Sequence, residues 1–413
     1  MGEKISKRGR GIALLCMAVY FASYIMRNNF AVMIVKICSD MQVEKSALAI
    51  VLTGMTVFYG VGQIASGFLG DRLSPRVMLA GGLLLAIVCN TLMFLSDSIP
   101  FMTVIWCVNG LAHAMLWPPI VRLLSNNLND REYNYAVVRV SWGSSIATIA
   151  MYLLCPLLLT FLSWRVIILI FAAVGALVLV LWLALNGRLI SEGGDRSKRK
   201  KAEATETVPL PRYAYFPIVF IMLAIILQGV LRDGVTNWMP SLMNESFALG
   251  EELSILSTVI LAVFSMISFS LSAFLHNRFF KNEVTCSTVI YLFSTVAALI
   301  LYFCNAFLKS ALVSALLLSI IVAGMHGINL MLITIVPKRF ARSGRVSTFS
   351  GILNACTYVG AAISAYGVAA LAESFGWDVT ILVWAAVALV GVAFTAIAIP
   401  VWRKFKREYA KED

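Results

Sequence analysis

The sequence of 413 residues is poor in charge, because Asp, Glu, Lys and Arg together make up only 13% of it. Soluble domains carry about 25%. Histidine occurs only three times, and the eight cysteines are scattered without a C-x-x-C pair. We therefore expect no disulfide framework, no metal site and no cofactor. Hydrophobic residues make up 60% of the chain, which predicts a polytopic membrane protein.

Long apolar stretches fill the chain, and a helix of about 20 such residues crosses a bilayer. They predict an all-α integral membrane protein of twelve transmembrane helices in two sets of six. A charged linker at 188–212 separates an N-terminal half, 1–187, from a C-terminal half, 213–413. The predicted spans are 11–36, 47–70, 77–96, 100–122, 135–162, 165–187, 213–243, 253–275, 284–305, 310–336, 346–372 and 377–402.

The positions of Lys and Arg predict the orientation of these spans. With both termini on the cytoplasmic side, 26 of the 33 basic residues lie in cytoplasmic segments and four lie in outer loops. This distribution follows the positive-inside rule. The net charge of +12 thus indicates topology and contact with the lipid bilayer, and nucleic-acid binding is not expected. We expect a multi-pass monomer in the cell (inner or plasma) membrane.

Two arginines, Arg27 and Arg232, lie deep within predicted spans and are 205 residues apart. The segment SGFLGDR at 66–72 is echoed 206 residues later by SAFLHNR at 272–278. These nearly equal offsets predict two similar halves, each bringing one arginine towards a shared centre. A charge at membrane depth is costly unless it has a functional role, so both arginines are candidate site residues.

The segment GFLGDRLSPR at 67–76 resembles the cytoplasmic G-x-L-x-D-R motif of the major facilitator superfamily. Twelve helices in two related halves match the fold of that superfamily. Asp71, Arg72 and Arg76 would form a latch that holds neighbouring helices in one conformation. Ordinary positive-inside charge explains the two arginines but does not explain Asp71.

Neutral donors accompany the first arginine. Tyr20 and Tyr24 precede Arg27 at seven and three residues, so all three share one helix face. Tyr59 and Gln63 share a face of the second span. Because a guanidinium presents a planar fork of donors that matches phosphate, this pattern predicts a site for a small anionic substrate.

The acidic residues are distributed differently. Of 21 Asp and Glu residues, all but Asp233 lie in loops, tails or helix ends. One carboxylate cannot neutralise both Arg27 and Arg232, which favours an anionic ligand over purely structural pairing. Asp233 is also the one candidate for proton coupling. Its neighbour Arg232 is turned from it by about 100° on the helix, so we expect only a partial pair.

Five motifs resemble the organophosphate:phosphate antiporters, which include glycerol 3-phosphate and hexose phosphate transporters. They are YFASYIMRNNFA at 20–31, WPPIVR at 117–122, LRDGVTNWMP at 231–240, PK at 337–338 and FGWD at 375–378. The resemblance implies that Arg27 and Arg232 clamp phosphate while Tyr20, Tyr24 and Tyr59 line the pathway. It also implies exchange of a phosphate ester for inorganic phosphate by rocker-switch alternating access.

The chain departs from that family at three positions. Gln63 stands where relatives often carry lysine, Ile146 near a histidine position, and Gly229 where some carry tyrosine. Carboxylates and sugar acids therefore stay open as substrates. Two alternative functions also stay open: a transporter-like sugar-phosphate sensor, and a proton-coupled symporter using Asp233. No catalytic constellation is present, so we expect no enzyme.

Several polar residues within spans are further candidates. Arg139 lies only a few residues into the fifth span, and we expect its side chain to reach the cytoplasmic surface. The candidates for substrate contact are Asn237, His113, Tyr358, His326, Asn329 and Asn354.

Overall fold

The computed structural model describes residues 5–43, 45–190, 208–248 and 259–410. Throughout these ranges the chain is helical and contains no strand, which confirms the predicted all-α class. Most of the predicted linker, 191–207, lies outside the described residues, as does the start of the eighth predicted span, 253–258. The predicted boundaries of the two halves therefore stay a prediction.

The first compact unit comprises the chain up to Val208 together with Phe340–Ile352. Its helices are α1 (Lys7–Val32), α2 (Ile34–Met41), α3 (Lys45–Arg72), α4 (Pro75–Phe94), α5 (Ile99–Ala114), α6 (Trp117–Asn127), α7 (Asp130–Leu159) and α8 (Trp164–Leu189). Within this unit, α1 packs along α7, α3 along α5, and α4 along α8.

The second compact unit comprises Pro209–Arg339 and the chain from Leu353 onwards. Its helices are α9 (Tyr215–Phe247), α10 (Val259–Leu275), α11 (Glu283–Phe303), α12 (Ala311–Ile328), α13 (Val336–Lys338) and α14 (Val346–Phe405), the last beginning in the first unit. Helix α12 packs against α9, α10 and α11. Short π-helical turns follow at His276–Phe280, Cys304–Leu308, Asn329–Ile335 and Lys406–Ala410.

Eleven helical stretches in the described ranges are long and apolar enough to cross a membrane. The last of them contains the 60-residue helix α14, which would be about 90 Å long if it were straight. Gly376 interrupts it with a φ of 78° and a ψ of 174°, between the predicted spans 346–372 and 377–402. The described residues thus form twelve spanning segments, as predicted.

The fourth predicted span is broken, which the sequence analysis did not predict. Helix α5 ends at Ala114 and α6 begins at Trp117. Pro118 and Pro119 have no N–H to donate to the carbonyls four residues earlier, so the helical ladder cannot continue through them. The two pieces together still form one stretch, Ile99–Asn127, long enough to cross a membrane.

The seventh predicted span forms one continuous helix despite its proline. Pro240 lies inside α9, which continues without interruption to Phe247. Gly234 serves packing, because a methyl group there would lie 3.2 Å from Ser364 Cβ. The first helix also begins earlier than predicted, because the Ser6 side chain accepts a hydrogen bond from the Gly9 N–H and caps it.

A buried group of charged side chains connects three segments of the second unit. The Glu283 carboxylate, 0% exposed at the start of α11, accepts a 2.7 Å hydrogen bond from Arg339 Nε and a second bond from Arg339 Nη2. Lys406 Nζ lies 3.5 Å from the same carboxylate, and Trp402 Nε1 donates to its other oxygen at 3.1 Å. One carboxylate therefore joins α11 to the segment after α13 and to the C-terminal turn.

Replacing this carboxylate with an amide tests its contribution to stability. Glu283→Gln leaves Arg339 and Lys406 buried without their counter-charge, and such a change costs about 3–5 kcal/mol. We expect a marked fall in the thermal unfolding midpoint of the detergent-purified protein. The control is Asp97→Asn, which breaks the pair with Arg165 where the Asp97 side chain is 88% exposed. Equal midpoints for the two variants would contradict the assignment.

Candidate functional site

Arg27 lies among aromatic rings in the first unit. Its guanidinium carbon is 4.3 Å from the centroid of the Tyr24 ring and 4.8 Å from that of Tyr59. Tyr24 contacts Tyr20 edge-on at 5.0 Å, and Tyr20 lies 4.9 Å from Trp117. The structure thus brings together three tyrosines and the arginine that the sequence analysis selected, and it adds Trp117.

Buried amides fix the turn of α1 that comes just before Arg27. Asn29 donates to the Asn90 side chain at 2.8 Å, and Asn90 donates to the Met26 carbonyl at 3.1 Å. Asn109 on α5 donates to the same carbonyl at 3.3 Å. These three asparagines were not selected from the sequence as parts of the site, although single polar residues within apolar spans were a usable signal. They hold α1, α4 and α5 in register and so position Arg27.

Two polar side chains nearby are buried with unsatisfied groups. Gln63 is 0% exposed, and within the described ranges neither its amide nitrogen nor its amide oxygen has a hydrogen-bond partner. His113 shares a 2.9 Å hydrogen bond with Ser23 through Nδ1, while its Nε2 has no partner in those ranges. Buried polar groups are nearly always satisfied in folded proteins. Gln63 and His113 thus stay candidates for contact with a polar ligand.

Arg232 in the second unit has a different environment. Its Nε and Nη2 donate to the two oxygens of Asp233 at 2.7 and 2.9 Å, and its guanidinium carbon lies 6.0 Å from the Tyr358 ring centroid. The sequence analysis expected only a partial pair because adjacent residues point apart on a helix. That expectation was wrong, since both side chains bend towards each other and form a two-point pair.

The remaining polar candidates of the second unit do not all join Arg232. His326 lies near the Arg232–Asp233 pair, and its ring meets Phe269 edge-on at 5.5 Å. Asn329 begins a π-helical turn, and Asn354 is buried on α14. Asn237 is exposed five residues after Arg232, on another side of α9, so the structure does not bring these two together.

Glycine at position 229 is explained by a close helix crossing. A methyl group on Gly229 would overlap the Thr357 carbonyl, and one on Gly360 would overlap the Ile226 carbonyl. Helices α9 and α14 therefore touch through their backbones next to Tyr358. A tyrosine side chain, the residue that the family resemblance suggests for this position, has no room at this crossing.

Asp71 binds the beginning of α14 within the first unit. Its two carboxylate oxygens accept hydrogen bonds from the Ser347 and Thr348 N–H groups, each at 2.8 Å. These N–H groups belong to the first turn, where the helix has no internal acceptor for them and where its dipole favours negative charge. A methyl group on Gly67 would lie 2.9 Å from the Ser347 carbonyl oxygen, so α3 and α14 approach very closely.

The arginine that supports Asp71 is Arg122, which the sequence analysis did not select for this role. Arg122 Nη1 donates to the Gly70 carbonyl and, at 3.0 Å, to the Leu73 carbonyl. Of the two predicted latch arginines, Arg72 is exposed, and the carbonyl of Arg76 accepts a 3.3 Å bond from Trp182. Arg122 is the last residue of the WPPIVR motif, and its place in that motif could have indicated this role from the sequence.

Comparison with known proteins identifies the family of this chain. The model of the Major Facilitator Superfamily matches residues 16–365. The chain belongs to this superfamily. It is therefore a multi-pass membrane transporter, and it is not an enzyme. The predicted superfamily and fold are confirmed.

Two relatives of this transporter carry names that state a substrate. The glycerol-3-phosphate transporter of Bacillus subtilis (strain 168) is 22% identical over 414 aligned residues, 94% of this chain and 91% of the relative. A probable hexose phosphate transport protein of Chlamydia trachomatis serovar D is 29% identical over 129 residues. That match covers 31% of this chain and only 27% of the relative's own length.

A solved structure agrees with the fold. The proton:xylose symporter XylE, bound to 6-bromo-6-deoxy-D-glucose, superposes with a TM-score of 0.76. The superposition covers 95% of this chain and 96% of that chain, at 11% sequence identity. Because the identity is so low, this likeness supports the fold alone.

The crossing at Gly229 predicts the effect of a single methyl group. Gly229→Ala forces α9 away from Thr357, and we expect a destabilisation of about 1–3 kcal/mol, as for an overpacked core. A thermal unfolding scan of the purified transporter measures it. Gly367→Ala on α14 is the matched control, since nothing lies within 4 Å of the added methyl group. If Gly229→Ala unfolds no earlier than that control, the crossing is not as tight as described.

Proposed function

We propose that this transporter exchanges a phosphorylated small molecule, a sugar phosphate or glycerol phosphate, for inorganic phosphate. The observation that carries the proposal is the Arg27 guanidinium held against the Tyr24 and Tyr59 rings, with Tyr20 and buried Gln63 and His113 in the same unit. The names of the two relatives support the phosphate group. The transporter would act as a monomer in the cell membrane, with both termini cytoplasmic.

Arg27 is suited to bind an oxyanion. The Arg27 guanidinium carbon lies over the Tyr24 and Tyr59 rings, and these contacts restrict the positions that the charged group can take. Its N–H donors lie in the guanidinium plane, where they match two oxygens of a phosphate group. The tyrosine hydroxyls supply neutral donors beside it. Arginine stays charged in such a place, so the cost of burying it is offset when an anion binds.

Arg232 would bind the substrate in competition with Asp233. The carboxylate of Asp233 occupies the Nε and Nη2 donors, which are the donors that a phosphate oxygen pair would also use. An internal counter-charge lowers the cost of burying the arginine when no substrate is bound. We infer that an incoming phosphate takes over these donors and releases Asp233. Arg27 and Arg232 would thus both contribute to anion recognition.

Gln63 and His113 favour a substrate that also carries hydroxyl groups. The Gln63 amide offers both donors and an acceptor, and all of them lack a partner within the described ranges. His113 Nε2 is likewise available. Hydroxyl groups of a sugar or glycerol both donate and accept, so they would satisfy these groups, whereas inorganic phosphate alone supplies mainly acceptors. This complementarity supports a phosphate ester of a polyol.

Asp71 would control the opening of the pathway. Its bonds to the Ser347 and Thr348 N–H groups hold the first turn of α14 against α3. Breaking them exposes the carboxylate and the two N–H groups to new partners, so each transport cycle must cross that barrier. The proposed cycle is alternating access, in which the latch formed by Asp71 is made in one state and released in another.

Conservative substitution of the arginines tests anion recognition. Arg27→Lys and Arg232→Lys keep the charge but lose the planar fork of donors. In phosphate-loaded proteoliposomes, we expect exchange of internal radiolabelled phosphate for external glycerol 3-phosphate or glucose 6-phosphate to fall by at least about 100-fold, the scale of losing two charge-assisted hydrogen bonds.

The control for these variants is Arg131→Lys, which changes an exposed arginine in the first turn of α7. Wild-type exchange rates in both Arg27→Lys and Arg232→Lys would sink the proposal. Tight ligand binding by the wild type with no flux at all would favour the sensor alternative.

Asp233 distinguishes exchange from proton symport. If Asp233 is only the counter-charge of Arg232, Asp233→Asn retains phosphate exchange and binds the anion at least as tightly as the wild type, because a competitor has been removed. Uptake into proteoliposomes with and without an imposed pH gradient measures the difference. Uptake that needs the gradient in the wild type and is lost in Asp233→Asn would support symport instead.

The Asp71 latch predicts a change in rate without a change in affinity. Asp71→Asn retains one acceptor oxygen but loses the charge at the start of α14, an interaction of up to about 2 kcal/mol. We expect a several-fold change in the exchange rate, while the equilibrium dissociation constant of the substrate at the Arg27 side changes little. A parallel loss of binding would show that Asp71 acts on the site itself.

A further inference from the structure

A third arginine within a predicted span, Arg139, lies on α7 in the first unit. Its position near the start of the span predicts a side chain that reaches the cytoplasmic surface. In the structure the guanidinium carbon lies 4.2 Å from the centroid of the Trp142 ring and 5.1 Å from that of Tyr135. These rings come from positions three residues after and four residues before Arg139, so the three side chains share one face of α7.

The contacts of Arg139 do not use the N–H donors of its guanidinium for hydrogen bonds. Within the described ranges its contacts are the two aromatic rings, and neither a carboxylate nor a carbonyl accepts a hydrogen bond from it. Aromatic rings interact with the faces of a guanidinium, whereas hydrogen bonds to an anion form in its plane. Arg139 is half-buried in this setting. Like Arg27, Arg139 has a guanidinium that lies over aromatic rings.

Contacts between α1 and α7 place Arg139 relative to Arg27. At the start of both helices, the Ser6 N–H donates to Glu132 at 3.1 Å. Further along, a methyl group on Gly143 would lie 2.7 Å from the Met17 carbonyl oxygen. The two helices thus run in the same direction. Arg139 lies one turn before Gly143 on the same face of α7, the face that packs against α1.

The depths of the two arginines follow from this register. Arg139 comes seven residues after Glu132, about 10 Å along its helix at 1.5 Å per residue. Arg27 comes 21 residues after Ser6, about 30 Å along its own helix. The two guanidinium groups are thus separated by about 20 Å along the direction in which both helices run. Both lie on the same helix pair, with Arg139 nearer to the predicted cytoplasmic side.

We propose that Arg139, Tyr135 and Trp142 form a second oxyanion site whose ligand is a phosphate group. This phosphate group has two possible sources. It belongs either to the soluble substrate on its way between Arg27 and the cytoplasm, or to the headgroup of an anionic phospholipid at the depth of Arg139. The soluble form of the ligand rests on the proposed function. The binding chemistry of the site does not, because it follows from Arg139 and its two rings.

The first arm of the test uses soluble phosphate. The variant Arg27→Gln/Arg232→Gln is placed in nanodiscs of neutral phosphatidylcholine, and binding of radiolabelled inorganic phosphate is measured at equilibrium. We expect residual weak binding that falls at least tenfold on adding Arg139→Gln. The matched control adds Arg131→Gln, an exposed arginine of the same helix, and we expect no change. Because no transport is measured, failure of the proposed exchange function leaves this result interpretable.

The second arm uses lipid. The otherwise unchanged protein is purified from nanodiscs containing phosphatidylglycerol, and native mass spectrometry counts the retained lipid molecules. If the headgroup is the ligand, Arg139→Gln retains one fewer than Arg131→Gln does. Loss in the first arm supports the soluble ligand, and loss in the second supports the headgroup. If Arg139→Gln and Arg131→Gln behave alike in both arms, the proposal is overturned.

Two further variants keep the test valid if Arg139→Gln folds poorly. Arg139→Lys retains the charge without the planar edge, and we expect phosphate binding or lipid retention between that of arginine and glutamine. Trp142→Leu removes the closer ring and leaves the charge, and we expect several-fold weaker binding. Full binding in Trp142→Leu, together with full binding in Arg139→Lys, would rule out a stacked guanidinium as the binding group.

Discussion

The cost of placing a positive charge inside a membrane is the constraint on which this structure depends. A guanidinium removed from water needs acceptors, a counter-charge or polarisable contacts. The chain uses each of these means: Tyr24 and Tyr59 for Arg27, Asp233 for Arg232, and Glu283 for the two cations Arg339 and Lys406. An arginine held by aromatic contacts stays able to bind an anion. An arginine in a two-point pair with a carboxylate binds an anion only after the anion has displaced the carboxylate. In the proposed mechanism, the kind of partner therefore decides whether an anion binds an arginine directly or must first displace a carboxylate.

The two halves stabilise their buried charges in different ways, although a common sequence offset relates them. Position 277, which corresponds to Asp71, carries asparagine, so the second unit has no carboxylate there. Its buried acid is Glu283, six residues later, and it binds side-chain cations rather than a helix end. The same asymmetry applies to the arginines, because Arg232 has an adjacent acid and Arg27 has asparagine, whose side-chain oxygen accepts at 3.3 Å. A repeat in the fold does not require a repeat in chemistry.

The twelve spans and the depth of Arg27 and Arg232 follow from the sequence, because the hydropathy and charge of successive residues decide which segments lie in the bilayer. Contacts between helices do not follow in the same way. The role of Gly229 depends on where the Thr357 carbonyl lies. Asp71 and Arg122 bind backbone groups, and such partners cannot be recognised from the types of residues in the sequence. The two-point pair of Arg232 with Asp233 does not follow from helix geometry, because it requires both flexible side chains to bend towards each other.

Asp71 holds α14 through two main-chain N–H groups and through the Thr348 side chain, and this has a consequence for how the contact can change over time. The two main-chain bonds do not need particular side chains at positions 347 and 348, so substitutions there leave them intact, with proline as the exception because it lacks the N–H. Among these bonds, only the one from the Thr348 side chain depends on the residue type on α14. The main-chain part of the contact would therefore leave little trace in correlated variation between positions, even though it joins segments 276 residues apart.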